Sequence, residues 1–241
     1  GIGIEAIIDN REEVDSKLIK EIEKNNIKIY KGYTVVDTFG YKKINKISIM
    51  QLSKDGQKVV GSKISIDCDC LGMSGGWTPA VHLFTQSGGK LKFRENDQVF
   101  IPDKYPSDQI SIGSCNGEFT LDEILSSISK KLKDFLNIKK TDYENLEIQS
   151  HFNKTKRNIW LLPSDKIIGK TKPFVDYQND ATAKDIKLAL REGFRSIEHV
   201  KRYTTTGMGT DQGKLGNMHA LGIISETAGS KMGELLSLIH I

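Results

Sequence analysis

The sequence predicts an α/β fold in which an incomplete strand–helix–strand domain with a β-meander precedes a small all-helical module. Three observations predict it. Apolar residues at Val14, Leu18, Ile19 and Ile22 follow helical spacing between two short β-like runs, Ile4–Ile8 and Ile27–Tyr30. Residues 33–70 then alternate apolar and polar side chains for three further strands. From Phe174 onward the period returns to that of helices.

The first strand, Ile4–Ile8, ends in Asp9, and Asp15 or Ser16 is placed to cap the helix that follows. Asn25-Asn26 closes that helix, and Ile27–Tyr30 returns as a strand, giving β-α-β at its usual length. An acid at the end of such a strand is where dinucleotide-binding domains hydrogen-bond the ribose 2′-hydroxyl. Asp9 is therefore a candidate ribose acceptor, with an ordinary turn residue as the alternative; an acid there argues for NAD over NADP, although Arg11 leaves a 2′-phosphate conceivable. The Gly-rich partner of such an acid lies about 20 residues upstream, beyond the first residue of this sequence.

Tyr33–Thr38, Lys43–Leu52 and Lys58–Cys70 read as a meander, with Ser53-Lys54-Asp55-Gly56-Gln57 as a turn. Ile64, Ile66, Cys68 and Cys70 alternate with polar residues, so both thiols are expected on one strand face as core positions, with a redox or metal role as the alternative. A β-α-β unit followed by a meander is the order found in pyridine-nucleotide oxidoreductase domains of Rossmann-like type. Ser74-Gly75-Gly76-Trp77-Thr78-Pro79 ends the sheet; Gly75 and Gly76 permit close approach of a cofactor or simply a tight exit turn. A helix is expected over Ala80–Gln86 and a hairpin over Lys90–Pro102.

Gln109–Gly113 reads as another strand, running through Ser114-Cys115-Asn116-Gly117 into a helix with the capping box Thr120/Glu123. Leu121, Ile124, Leu125, Ile128, Leu132 and Phe135 form its apolar stripe. A strand, a Gly-bearing turn and a helix N-terminus together suit a pyrophosphate. Gly113, Ser114, Asn116 and Gly117 are the candidate residues; the same arrangement also occurs without any ligand.

Residues 137–172 read as a linker whose one apolar knot, Ile159-Trp160-Leu161-Leu162-Pro163, is expected to pack on a neighbour. In the helical module, 173–235, Thr182/Asp185 resembles a capping box, Gly193 stops the first helix, Ser196 caps the second and Asn217 caps the last. Between the second and last helices lies the polar loop Thr204–Lys214. Leu236–Ile241 reads as the translation of a transposon end used in sequencing libraries and is expected to be a scar outside the fold.

The chain has 241 residues, 37% of them hydrophobic, and a net charge of +4. Its basic excess lies between Lys130 and Lys172, with 11 Lys/Arg against 5 Asp/Glu, but the aromatics form no stacking platform, so no nucleic-acid binding is expected. No run of about 18 apolar residues predicts a membrane-spanning helix, and no signal-peptide pattern opens the sequence. Three cysteines without zinc-ligand spacing suggest reduced thiols and a cytoplasmic protein. The five histidines are scattered, with no Ser/His/Asp or metal-ligand spacing, so no catalytic residue and no metal site is expected.

Two runs carry a family resemblance. Phe174–Lys214, with DYQND, TAKDIKLALREGFRSIEHVKRYTT and GMGTDQGK, and Met73–Leu83, MSGGWTPAVHL, resemble the alpha subunit of heterotetrameric sarcosine oxidase. The resemblance covers nearly the whole chain. The helical module is also similar to the 2Fe–2S domain of bacterioferritin-associated ferredoxin, but the four ligand positions fall on Asp176, Gln178, Asp211 and Gly216. None is a thiolate, so no Fe–S cluster is expected.

The resemblance implies oxidative demethylation of sarcosine to glycine, with NAD in this domain, FMN at the alpha–beta contact and FAD in the beta subunit. It implies hydrogen peroxide as a product and tetrahydrofolate in a C-terminal domain absent from this sequence. Beta, gamma and delta subunits are the implied partners. Lys201, Arg202, Thr204, Thr205, Gln212 and Lys214 are then expected to face the FMN phosphate or the beta subunit, with a solvated basic turn as the alternative. An N-methyl-amino-acid dehydrogenase subunit and a non-catalytic assembly module are the other readings.

Overall fold

A computed structural model describes residues 2–14, 16–106, 108–137, 159–166 and 171–238. It is a mixed α/β structure of two compact units. The first comprises Gly1–Gly75 and Ile159–Asp185, the second Gly76–Asn158 and Ile186–Ile241.

The first unit opens with the expected β-α-β. Strand β1 (Ala6–Asp9) and strand β2 (Lys28–Lys31) pair in parallel, with Asp9 opposite Lys31, across helix α1 (Ser16–Lys24). The helix buries Ile19 and ends where Asn26 turns left-handed at φ 56°. The Asn25 side chain donates to the Glu21 carbonyl at 2.8 Å, which satisfies one of the free carbonyls of the last turn. Asp15, one of the two expected caps, lies outside the described residues.

The meander follows as β3 (Tyr33–Gly40), β4 (Ile44–Leu52) and β5 (Val59–Asp67), antiparallel in that order. The central strand is buried on both faces from Ile47 to Met50. Ile49 is fully enclosed, which contributes about 1.5–3 kcal/mol relative to exposure. The turn to β5 is closed by Gly56 N–H to the Ser53 carbonyl at 2.7 Å and Ser53 N–H to the Lys58 carbonyl at 2.9 Å.

Strand β5 ends at Asp67, earlier than expected. Cys68 N–H still reaches the Asn45 carbonyl, but Cys68 is half-buried and Cys70 exposed. The expectation that both thiols are core positions is therefore corrected: the alternation of Ile64 and Ile66 stops when the ladder stops, and β5 is an edge strand. The knot Ile159–Pro163 is half-buried in this unit. Two ion pairs tie the residues after it to the meander, Lys63–Asp165 at 2.7 Å and Lys166–Asp37. The rest of the expected linker, 138–158 and 167–170, lies outside the described residues.

The module from Phe174 is not wholly helical. A short hairpin of β8 (Phe174–Asp176) and β9 (Ala181–Thr182) precedes helix α4 (Ala183–Arg191). The capping box forms as expected. Thr182 N–H and Oγ1–H donate to Asp185 Oδ2 at 2.9 and 2.6 Å, and Asp185 N–H donates back to Thr182 Oγ1 at 3.4 Å.

In the second unit, helix α2 (His82–Gln86) leads to the hairpin β6 (Lys90–Arg94) and β7 (Val99–Lys104), which buries Val99 and Phe100. The strand expected over Gln109–Gly113 is absent. Ile112 is extended (φ −136°, ψ 147°), but these residues have no ladder partner, and the chain enters a 3-10 turn at Gly113–Asn116. β-branched residues favour extension, but a strand also needs a neighbour to receive its N–H and C=O groups.

Helix α3 (Leu121–Leu136) has the expected Thr120/Glu123 capping box and ends at left-handed Asn137. Its apolar stripe is only half covered: Leu121 and Phe135 are exposed, and no residue of the helix is fully buried.

Helix α4 ends at Gly193, φ +97°, as expected. Helix α5 (Ile197–Thr204) buries Ile197 and Val200, but the Ser196 hydroxyl makes no capping bond. Helix α6 (Asn217–Ala228) buries Ala220, Leu221, Ile223 and Ile224. Its N-cap is Gly216, not Asn217, a second correction. A 3-10 segment, Met232–Leu238, follows, and residues 239–241 lie outside the described residues.

Candidate functional site

The loop between α5 and α6 is built around one side chain. Asn217 lies against Gly207 and Gly213, both with positive φ (+73° and +75°); a Cβ on either would come within 2.2 Å of its amide group. Glycine is required there by backbone conformation and by space alike. The loop is thus pinned to the first turn of α6, and Gly213 and Lys214 sit beside Asn217 and Met218 in the wall of a small, open recess. The other wall comes from Thr78, Pro79, Val81, His82 and Phe100. The two stretches that carry the resemblance, 73–83 and 174–214, therefore meet at this recess through Thr78–His82 and Gly213–Lys214.

The polar groups at the recess are Thr78, His82, Lys214 and Asn217. Burial pushes the His82 imidazole below its ordinary range, and the Lys214 charge acts in the same direction. A neutral imidazole beside an ammonium offers hydrogen-bond capacity and positive charge to an anion. His82, one of the five scattered histidines given no site role from the sequence, lines this recess. Its available signal was position: it directly follows Gly76-Trp77-Thr78-Pro79-Ala80-Val81 in the run that carried the resemblance.

The expected donor loop is only partly donor-facing. Arg202, Thr205, Gln212 and Lys214 are exposed, and Lys201 is half-buried. Thr204 is a correction. It is buried, its hydroxyl donates to the Val200 carbonyl at 2.8 Å and lies 2.8 Å from the Thr206 hydroxyl, so it faces inward. A threonine at a helix end satisfies a carbonyl four residues back more readily than it reaches solvent. The Thr205 hydroxyl donates to the Thr204 carbonyl at 2.6 Å, and Gln212 Nε2–H to the Gly209 carbonyl at 2.9 Å.

The Gly-bearing turn is a further correction. Four donors converge on the Glu118 carboxylate: Gly113 N–H at 2.9 Å, Asn116 Nδ2 at 2.6 Å, Ser127 Oγ at 2.7 Å and Lys131 Nζ at 3.1 Å. Burial works to raise Glu118, but these bonds outweigh it and hold the carboxyl below its ordinary range. On the far side, Arg94 Nη2–H donates to the Gly117 carbonyl at 2.7 Å, and a Cβ on Gly117 would meet Arg94 and Ile101 at 2.8 Å. Gly113, Asn116 and Gly117 thus face an internal carboxylate and a guanidinium, while Ser114 is exposed. The pyrophosphate reading presupposed a ladder strand before the turn, which is absent here, and Gly113 N–H and Asn116 Nδ2 are held by Glu118.

Gly75 and Gly76 are exposed, and at Gly76, φ +105°, an added Cβ would meet nothing within 4 Å. In the first unit, Asp9 at the end of β1 binds Arg11: Oδ1 accepts from the Arg11 backbone N–H at 2.9 Å and Nε at 3.0 Å, and Oδ2 from Nη2 at 2.7 Å. Burial acts to raise the Asp9 carboxyl, but the Arg11 hydrogen bonds and charge prevail and lower it.

The four positions aligned with cluster ligands have other partners or none of the needed chemistry. Asp176 is buried and accepts from the Gln178 and Asn179 backbones at 2.9 and 3.2 Å. Asp211 accepts from Gly213 and Leu215 backbones at 3.2 and 3.3 Å, Gln178 is exposed, and Gly216 caps α6. Among the described residues no group of three or more His, Cys, Asp or Glu is placed to hold a metal ion. No helix among them is long and apolar enough to cross a membrane.

Residues 170–238 match the sarcosine oxidase A3 domain. The chain is 28% identical over 94% of its length to sarcosine oxidase subunit alpha of Corynebacterium sp. (strain P-1) and 29% identical over 98% to that of Rhizobium meliloti (strain 1021). It spans 24% and 22% of those two relatives, about a quarter of their length. In fold it is similar to L-proline dehydrogenase from P. horikoshii, with a TM-score of 0.58 at 19% identity, covering 97% of this chain and 46% of that one. Over most of its length the chain is thus similar to a segment of sarcosine oxidase alpha subunits, and residues 170–238 carry the match to the A3 domain.

Proposed function

We propose that this chain is the nucleotide- and flavin-facing segment of the alpha subunit of a multisubunit oxidoreductase that oxidatively demethylates sarcosine to glycine. The observation that carries the reading is the recess, where Thr78 and His82 meet Gly213, Lys214 and Asn217. Two stretches far apart in sequence meet at this mostly apolar recess, with Thr78, His82, Lys214 and Asn217 as its polar members, and the exposed Arg202, Thr205 and Gln212 lie on or beside the same loop.

The donor set fits the phosphate of FMN. Lys214 supplies charge, and Thr78 and the second Nε2–H of Gln212 supply neutral donors. The flavin, when bound, supplies the electron-accepting chemistry. This chain's own side chains bind and orient its anionic end and neutralise its charge, and none acts as acid or base on substrate. FAD belongs to the beta subunit in this reading, peroxide is released, and the one-carbon unit passes to tetrahydrofolate on a further domain. Beta, gamma and delta subunits complete the assembly in the cytoplasm.

NAD is assigned to the first unit, with Asp9 as ribose acceptor at the end of β1. The fit there is partial, because a 2′-hydroxyl would share a carboxylate already held by Arg11. Asp176 and Asp211 support a module retained without a cluster, since each carboxylate closes a turn of backbone amides.

The test is made on the full-length subunit assembled with its partners. Non-covalent cofactors are released and identified by mass spectrometry for wild type, Arg202→Ala and Lys214→Ala. The expected result is NAD and FMN in wild type, with FMN lowered in the variants and NAD retained. Unchanged FMN in both variants would overturn the assignment of this loop.

A further inference from the structure

The convergence on Glu118 exceeds what a turn of this length needs. A β-turn or 3-10 turn closes with one or two backbone bonds, and this one already has Gly117 N–H to the Ser114 carbonyl at 3.0 Å and Glu118 N–H to the Gly113 carbonyl at 3.2 Å. Four more donors, from the backbone, an amide, a hydroxyl and an ammonium, surround one carboxylate. Lys131 Nζ also donates to the Ser111 carbonyl at 2.9 Å, which fixes the ammonium in place. Ser127 and Lys131 are four residues apart on α3, so one helix face is directed at the turn. This is the donor composition of an oxyanion pocket.

We propose that Glu118 is the resident anion of this pocket and the residue that keeps phosphate groups out of it. The carboxylate occupies the donors that a phosphate would require, and its charge repels an arriving one. The turn after residue 112 thereby loses the ligand role that turns of this composition often have, and any nucleotide in this chain is bound elsewhere. The exclusion resides in one side chain, so its removal leaves an oxyanion pocket lined by Gly113 N–H, Asn116, Ser127 and Lys131.

The experiment is run on the whole chain with Glu118→Gly and Glu118→Gln. Thermal melting is followed in chloride, acetate and inorganic phosphate at matched ionic strength. Glu118→Gly is expected to melt about 2–4 °C below wild type in chloride. Acetate and phosphate should each restore more than half of the loss, saturably, while the wild-type midpoint does not depend on the anion. Glu118→Gln, which keeps the shape but not the charge, should respond less to either anion. Equal melting of Glu118→Gly and wild type, or an identical response of both to all three anions, would overturn the proposal. A second measurement needs no variant: inorganic pyrophosphate is added to isotopically labelled wild type. Unmoved amide signals at Gly113 and Asn116 are expected, and saturable movement of both would show that phosphate enters despite Glu118.

Discussion

The Asn217 side chain lies across Gly213, so close that a Cβ on the glycine would fall 2.2 Å from the amide. This contact joins the Gly-rich loop to helix α6 and places Lys214 at the recess. Gly213→Ala should destabilise the chain by about 2–3 kcal/mol from backbone conformation and the clash together. Gly229→Ala is the control: its φ is +66°, but an added Cβ there meets nothing within 4 Å. Urea unfolding should show the larger loss at Gly213, and Asn217→Ala should relieve part of it.

Acid should weaken the second unit through Glu118. Its folded-state carboxyl is held below the ordinary value by Ser127, Asn116, Gly113 and Lys131 against the effect of burial. A depressed carboxyl contributes stability above its unfolded value, and that stability is lost as pH falls through the folded one. Wild type should therefore lose stability as pH drops below the ordinary glutamate range, and Glu118→Gln should show a flatter curve. Chemical denaturation at a series of pH values checks it.

His82 should also destabilise on acidification, at higher pH. Burial and the Lys214 charge depress the imidazole, so the unfolded chain takes up a proton before the folded one does. The contribution is complete above the ordinary histidine value near 6.5 and falls as pH decreases below it. His82→Gln should remove that part of the pH dependence, and Lys214→Met should reduce it. Denaturation midpoints between neutral and mildly acid pH read both variants.

The capping box at α4 gives a local stability prediction. Thr182 and Asp185 exchange hydrogen bonds at 2.9, 2.6 and 3.4 Å. Thr182→Ala should cost about 1 kcal/mol. The change should appear as faster amide exchange in the first turn of α4, with little effect on the meander.

The elements legible in the sequence were those whose signal is local. The parallel β1/β2 pair, the meander and the Thr120/Glu123 and Thr182/Asp185 boxes all follow from alternation, helical spacing or a fixed three-residue offset. What was not legible depends on distant partners. Gln109–Gly113 has the composition of a strand, but strand formation is decided by a neighbour that it lacks. Cys70 continues a period-two pattern past the end of its ladder. Thr204 and Asn217 are polar residues in a polar loop; only the packed structure turns one inward to Val200 and lays the other across two glycines. At the site, Lys214 was readable as a donor, but its neighbour His82 belongs to a stretch more than a hundred residues earlier. Glu118 carried a readable hint, since Ser127 and Lys131 share one face of the following helix.

The most direct test of the proposed function is sarcosine-dependent hydrogen peroxide formation by the full-length subunit co-expressed with its neighbouring subunit genes. The account predicts peroxide formed in step with sarcosine consumed, from a complex carrying FAD, FMN and NAD, and a loss of FMN and activity together in Lys214→Ala. A flavin-loaded complex that makes no peroxide from sarcosine, and instead reduces a dye with another N-methyl amino acid, would contradict the oxidase assignment.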